Sequence, residues 1–504
     1  MLTSILDDNP RVFAEYRMLF FEEREYTNLE NYRQLCRLGH GLKELGVEPG
    51  DVILVHMENC HEVPLFYEAC AKSGIVFCPT MFLLSTEELS WIAEHSEAKY
   101  LVTTPNLLSK TRLACPRLFE AGRVILAGGE KEPGTVLLDE LCEGQPEELE
   151  TLADLGDDDL AALVYTSGTT GVPKGALLTH RNVGSNIRSM VTSNRVTRDE
   201  VALSSLPLSH AYGMTTSFAA WMVGVPTVLM RWFDAEQTFV YTERFHVRTM
   251  TGVPAMFIQL LNHPKAPQYN VRSWKRLQTG AAPLPEEVLR AFREKFGVYL
   301  YEGYGLTEAS PVVCCQRPHL PVKPGSVGPP IDGVEVKIRD ELERELPPGS
   351  PGEITVRGPN VMQGYLKDPE ETERALRGGW LHTGDIGYLD EDGYLFIVER
   401  KKDLIITGGF NLYPSEVEKV LERHPAVAEA AVVGEPDPVK GEVVHAFVIL
   451  NPGAAVKEGE LIEFARKSLV YYKCPHRVTF LTEFPRTFLG KVSHRELRDR
   501  LAKR

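Results

Sequence analysis

Between residues 28 and about 100 the apolar positions recur with two periods. Leu29 to Leu45 repeats at helical spacing, Asp51 to His56 is a short apolar run, Pro64 to Ser73 is helical again, and Ile75 to Cys78 is a second short run. Helical faces alternating with short buried runs predict a mostly parallel sheet covered by helices. A second αβ alternation runs from Arg181 to Leu306, and strands broken by Gly and Pro turns follow from Gly325 to about Arg357. Near Lys402 the pattern changes. Ser415-Glu-Val-Glu418 reads as a capping box opening a helix to about Arg423. Strands Ala428 to Val433 and Val443 to Leu450, a helix Gly459 to Leu469 and a last helix Ser493 to Ala502 complete a compact unit. The expected architecture is α/β: a large N-terminal domain, residues 1–400, of parallel or mixed sheets covered by helices plus a β-structured subdomain, and a small α+β domain, residues 401–504.

Composition narrows this picture. A chain of 504 residues exceeds what one hydrophobic core serves, in line with two domains. Met1 to Phe13 has neither a basic nor an apolar signal region, and the apolar stretch Ser217 to Met230 is too short to span a bilayer. The nine cysteines are scattered, without a Cys-x-x-Cys pair, so reduced thiols in a cytoplasmic protein are expected, not a disulfide framework or zinc site. A net charge of −15 argues against nucleic acid as a partner. The charge is uneven: residues 400–504 carry 18 basic and 14 acidic residues, net +4, and the rest carries net −19. A basic small domain over an acidic body helps attract polyanionic ligands. Glu143 to Asp159, with eight acidic residues and no basic one, reads as a solvated connection. The oligomeric state is not fixed by these features, a homodimer being one option.

The densest chemistry follows the apolar run Ala161 to Val164: Tyr165-Thr166-Ser167-Gly168-Thr169-Thr170-Gly171-Val172-Pro173-Lys174-Gly175. Glycines let successive N–H groups point at one anion, the hydroxyls add donors, and Lys174 adds a charge on a flexible stem. This is a polyphosphate grip. It is not a P-loop, because no helix starts at Lys174 and no Ser or Thr follows it to hold magnesium. Downstream, Tyr304-Gly-Leu-Thr307-Glu308 follows the apolar strand Val298 to Tyr301. Tyr304 between glycines offers a ring face to a purine, Thr307 a hydrogen bond to an α-phosphate, and Glu308 a hard oxygen for Mg²⁺ shared with substrate phosphates. Asp385 can accept both ribose hydroxyls, with Arg400 donating to the same sugar.

With Leu206-Pro-Leu-Ser-His210, Gly280-Ala-Ala-Pro283, Thr383-Gly-Asp385, Arg400-Lys-Lys402-Asp403 and Pro485-Arg-Thr-Phe-Leu-Gly490-Lys491, these blocks stand in one order along nearly the whole chain. In that order they resemble the adenylate-forming enzymes, which include acyl-CoA synthetases, adenylation domains and beetle luciferases. The likeness is strongest to fatty-acid and aryl-acid CoA ligases. It implies that Gly280, Ala281, Ala282 and Pro283 wall the adenine slot opposite Glu302, Gly303, Tyr304 and Gly305, and that His210 sits where the acyl pocket meets the phosphates. A serine, Ser209, stands where the family often has an aromatic residue. The resemblance lines the acyl pocket with Tyr212, Thr216, Ala281, Gly305, Pro311 and Val312. None is charged and no arginine falls in these segments, which speaks against malonate-like diacids. It makes Lys491 a catalytic lysine on a mobile lid that rotates about Lys402, and places coenzyme A near Gly408, Gly409, Phe410 and Lys473. Here Phe410 follows two glycines, a mixed form of the family's variants.

The activity implied is two half-reactions. A carboxylate attacks the α-phosphorus of MgATP to give an acyl-adenylate and pyrophosphate, and the thiol of CoA then displaces AMP. Three alternatives stand beside it: transfer to a carrier-protein phosphopantetheine, for which no carrier segment follows Arg504; luciferase-like oxidation of the adenylate; and a P-loop-type NTPase.

Overall fold

The computed structural model describes residues 9, 11–148, 150, 154–166, 173–400, 403–407, 410–438, 440–486 and 492–502. Its contacts divide the chain into two compact units, one of Met1–Val336 with Val356–His382, the other of Lys337–Thr355 with Thr383–Arg504.

The first unit is built on two eight-stranded sheets covered by helices. One begins with the strand Val52–His56, which pairs in parallel with Val76–Thr80 and Tyr100–Thr103. These runs are almost wholly buried, as a sheet covered on both faces requires. Its far edge turns antiparallel, where Leu160–Thr166 pairs with Lys174–Thr179 and the latter with Gly364–Tyr365. In the second sheet Ala202–Ser204, Thr227–Leu229, Thr249–Gly252, Arg276–Thr279 and Leu300–Gly305 run parallel, and Val312–Cys315 returns antiparallel. The carboxyl ends of these parallel strands share one edge of the sheet, the edge where ligands bind in open α/β sheets. One face of the second sheet presents Leu203, Val228, Met250 and Leu277 to a core with the fully buried Phe239, Phe257 and Phe292. Each such phenylalanine contributes about 2 kcal/mol by leaving water.

The helix expected from Leu29 runs Asn28–Glu44 and starts at a true capping box, Thr27 with Glu30. The capping box expected at Ser415-Glu418 does not form. The helix there is Pro414–Glu422, with Tyr413 at the cap position and no side-chain cap bond. Pro414, whose fixed φ suits the first helical position, starts the helix two residues earlier and carries Ser415 inside it. The Ser415 hydroxyl instead donates to the Val398 carbonyl at 3.1 Å, and the Glu418 carboxylate accepts from the Val432 N–H at 2.8 Å.

The second unit holds most of a four-stranded sheet ending in the antiparallel pair Leu381–Leu389 and Leu395–Arg400, and a five-stranded sheet around Val427–Asp437 and Gly441–Leu450. Leu412, Val417, Leu421, Val432, Val448 and Leu461 give it a core of its own. None of the nine cysteines is in a disulfide. Among the described residues no helix is long and apolar enough to cross a membrane.

Candidate active site

The stems of the Leu160–Thr166 and Lys174–Thr179 hairpin set Thr166 opposite Lys174, with the Thr166 hydroxyl 3.5 Å from the Lys174 carbonyl. A Cβ at Gly175 would crowd the Leu163 side chain at 2.8 Å and the Tyr165 ring at 3.2 Å, so the strand packs closely here. The tip residues Ser167, Gly168, Thr169, Thr170 and Gly171 lie outside the described residues. Lys174 is partly buried and closed in by residues no motif named. Its ammonium is 2.7 Å from Glu371, in the helix Pro369–Ala375, and 5.4 Å from the centre of the Tyr365 ring. Glu371 also accepts from Arg374 at 2.8 Å, so two cations share one carboxylate beside the loop. The Tyr365 hydroxyl donates to Glu308 at 2.8 Å. Burial, with Glu308 beside it, raises the Tyr365 phenol well above the usual range, so it stays a donor. The lysine of the phosphate loop and the carboxylate expected to hold magnesium therefore belong to one cluster, joined through Tyr365.

Glu308 lies in the one-turn helix Thr307–Ala309, and Thr307 beside it is buried. The segment is pinned from below by two fully buried asparagines. Asn186 donates to the Val312 carbonyl at 2.8 Å and accepts from the Val312 N–H at 3.2 Å, and Asn360 donates to the Ala309 carbonyl at 2.8 Å. Tyr304 is half-buried at the end of its strand. Gly305 lies so close to the returning chain that a Cβ would stand 2.1 Å from the Pro311 carbonyl. Glu302 is buried, its Oε1 has no hydrogen-bond partner, and burial pushes its carboxyl up to about 7 against a backbone bond from Leu284.

The acyl-wall residues converge at the same edge of the sheet. Tyr212 and Thr216 project from the helix Ala211–Met222, and a Cβ on Gly280 would be 3.2 Å from both the Tyr212 hydroxyl and the Gly303 carbonyl. Ala281 takes a left-handed backbone at φ 68° as the chain turns away, with Ala282 partly buried and Pro283 exposed. Pro311 and Val312 follow on the pinned segment. His210 caps this helix: its Nδ1 accepts the Tyr212 N–H at 3.2 Å, which places the neutral ring's proton on Nε2. Thr216 opens onto a cavity that reaches Arg276 and Gln278, residues outside every motif segment.

In the second unit Asp385 and Arg400 face each other across adjacent strands, with Nε 3.3 Å from the carboxylate. The Asp385 N–H donates to the Thr383 hydroxyl at 3.1 Å, which fixes the turn. Lys473 is 2.5 Å from Glu416. Phe410 begins a short strand with Leu412. Lys402, Gly408, Gly409 and Lys491 lie outside the described residues. Among the described residues no group of three metal-ligating side chains occurs, so a metal here would share its coordination with substrate oxygens.

Two family models match the chain: "AMP-binding enzyme" over residues 6–366 and "AMP-binding enzyme C-terminal domain" over residues 416–491. A long-chain-fatty-acid–CoA ligase from Bacillus subtilis (strain 168) is 34% identical over 525 residues, covering 98% of this chain and 94% of the relative. A feruloyl-CoA synthase from Amycolatopsis sp is 36% identical over 480 residues, covering 94% of each. The crystal structure of ATP-bound MatB from Rhodopseudomonas palustris superimposes with a TM-score of 0.91 at 31% identity, covering 99% of both chains.

Proposed function

This chain belongs to the AMP-binding enzyme family, and from that premise we propose that it is an acyl-CoA ligase, converting a monocarboxylic acid, ATP and CoA to an acyl-CoA, AMP and pyrophosphate. One observation carries the reading: Lys174 and Glu308 share a cluster with Tyr365 and Glu371 beside the strands Leu160–Thr166 and Lys174–Thr179 that flank the hydroxyl- and glycine-rich segment. A triphosphate entering the hairpin competes with Glu371 for Lys174. Its β- and γ-oxygens then take the ammonium that the carboxylate holds, and Arg374 keeps Glu371 neutralised.

Glu308 suits a magnesium ion. It offers one carboxylate, which accepts from the Tyr365 phenol, and the phosphates complete the set. The ion supplies charge neutralisation at the phosphate oxygens. The protein's own part in adenylation is placement and electrostatics. Tyr212, Thr216 and the Gly280 turn hold the acid, Thr307 and Thr166 donate toward phosphate, and Tyr304 gives the adenine a face. As the carboxylate attacks, charge grows on the leaving pyrophosphate, where Lys174 meets it. His210, with its proton on Nε2, donates toward the acid's carboxylate. Asp385 with Arg400 binds the ribose.

Lys491 on the small domain completes the first step, and rotation about Lys402 then withdraws it. The same rotation brings the segment of Gly408, Gly409, Phe410 and Lys473 to the thiol path. ATP, CoA and nine cysteines outside any disulfide suit a cytoplasmic setting. The decisive measurement separates the steps. Lys491→Ala is expected to lose at least a hundredfold in acid-dependent pyrophosphate release, yet to convert supplied acyl-adenylate and CoA to thioester at near the normal rate. Equal damage to both steps refutes the division of labour, and AMP-free ADP release without any acid refutes the ligase.

A further inference from the structure

In the first sheet the strand Val52–His56 is flanked by Val76–Thr80 on one side and by Tyr100–Thr103 on the other. The winding of the sheet therefore reverses at this strand, and the carboxyl end of such a strand is where an open α/β sheet ordinarily takes a ligand. Here the chain's own Glu58 stands there. Its buried carboxylate accepts from the Thr104 hydroxyl at 2.6 Å and from Asn106 Nδ2 at 3.3 Å. Glu58 thereby secures the backbone of its neighbour, and that neighbour, Asn59, bonds to the second sheet.

Asn59 is 3% exposed, and its amide meets three backbone groups. Nδ2 donates to the Leu206 carbonyl at 2.9 Å and to the Met230 carbonyl at 3.0 Å, and Oδ1 accepts from the Leu208 N–H at 2.7 Å. Two of these partners flank Pro207, which has no N–H of its own to anchor the turn. The third follows the strand Thr227–Leu229. Beyond Pro207 the turn is tight: the His210 N–H donates to the Pro207 carbonyl at 3.0 Å, and a Cβ on Gly213 would stand 2.3 Å from that carbonyl. Asn59 thus holds the start of the turn whose end, His210, caps the helix Ala211–Met222.

We propose that Asn59 is a positioning residue for adenylation, fixing the Leu206–His210 turn so that His210 presents Nε2 to the carboxylate of the acid. The inference rests on the ligase reading. Leu206, Leu208 and Met230 are themselves buried and apolar, so filling this space would call for an apolar side chain. An amide belongs here because a buried turn needs its backbone groups paired, and this one supplies two donors and an acceptor together. Without it the turn can shift, and a misplacement of about 1 Å at a reacting group costs on the order of a hundredfold in rate.

The test is a double-mutant cycle on the full chain with MgATP, CoA and the best-used of decanoate, palmitate, benzoate and 4-coumarate, read as acid-dependent pyrophosphate release. Asn59→Ala is expected to lower kcat at least tenfold while KM for ATP stays within about twofold. Beside His210→Ala, the same substitution is expected to change kcat less than about twofold, because the group it positions is gone. A full tenfold loss that persists beside His210→Ala, a kcat unchanged by Asn59→Ala, or a His210→Ala that turns over like wild type overturns the inference and leaves the ligase standing. A wild type silent with all four acids overturns both. If Asn59→Ala does not fold, the same cycle is run with Asn59→Asp, which keeps the size and the acceptor for Leu208 but gives up the amide donors, and the same outcomes decide.

Discussion

At the residue scale the site depends on a phenol. Tyr365 joins Glu308 to the Lys174–Glu371 pair, and its hydroxyl donates to the Glu308 carboxylate. Tyr365→Phe keeps the ring under Lys174 and removes only that bond. A hydrogen bond to a charged group is worth about 1.5–3 kcal/mol, so adenylation is expected to fall roughly tenfold to a hundredfold, read as kcat/KM in pyrophosphate release. An unchanged rate would remove Tyr365 from the machinery. Glu302 behaves differently. Burial raises its carboxyl from the usual 4.5 to about 7, so the folded chain holds that proton more tightly than the unfolded chain. Its effect on stability is most favourable below pH 4.5 and is lost as pH rises through about 7, at about 1.4 kcal/mol per pH unit. Glu302→Gln is therefore expected to raise the melting temperature relative to wild type at pH 8, with the difference closing at pH 4.5.

At the element scale, register decides which residues meet. Gly364–Tyr365 adds to the hairpin edge with Tyr365 opposite Ala176, and this pairing carries Tyr365 and the Glu371 helix to Lys174 from almost 200 residues away. Nothing local to residues 364–371 announces it. The Asp368 cap and Pro369 mark only that a helix starts there. The segment 306–312 was legible as chemistry through Thr307 and Glu308, but its anchors Asn186 and Asn360 were not, because an asparagine within a helix or loop carries no sequence mark of what it will hold. Asn186→Ala leaves the Val312 N–H without its partner and weakens the hold on the Val312 carbonyl. We expect a loss of about 1–3 kcal/mol in urea unfolding and a higher KM for the acid, since Pro311 and Val312 sit on that segment. A stability loss with KM unchanged would make Asn186 structural only.

At the scale of the whole molecule, the small unit couples its two functional ends internally. Asp403, next to the hinge proposed at Lys402, bonds Arg498, and His494, three residues beyond Lys491, lies 3.3 Å from Glu418 and 3.9 Å from Asp403. Burial opposes the charge on His494, but these carboxylates outweigh it and raise its pKa to about 10, with Glu399 and Arg498 also close by. The unfolded imidazole titrates near 6.5, so the stabilisation is complete below that pH and fades as pH rises through about 10. Wild type is expected to exceed His494→Asn in unfolding free energy at pH 6, with the gap narrowing steadily toward pH 10. A gap independent of pH would mean that packing, not charge, is what His494 provides.

The sequence by itself determined the chemistry and the local elements: the hydroxyl- and glycine-rich turn ending in Lys174, the Tyr304 to Glu308 run, and the helical and strand periods of both units. These depend on neighbours in the chain, and side-chain type and spacing encode them directly. The tertiary structure alone decided which partner closes on Lys174, which asparagines hold the Glu308 segment, and that the polar side chains of the second sheet face a cavity instead of solvent. Those outcomes turn on strand register and on which face of a sheet is covered, and both are fixed only when distant segments pack.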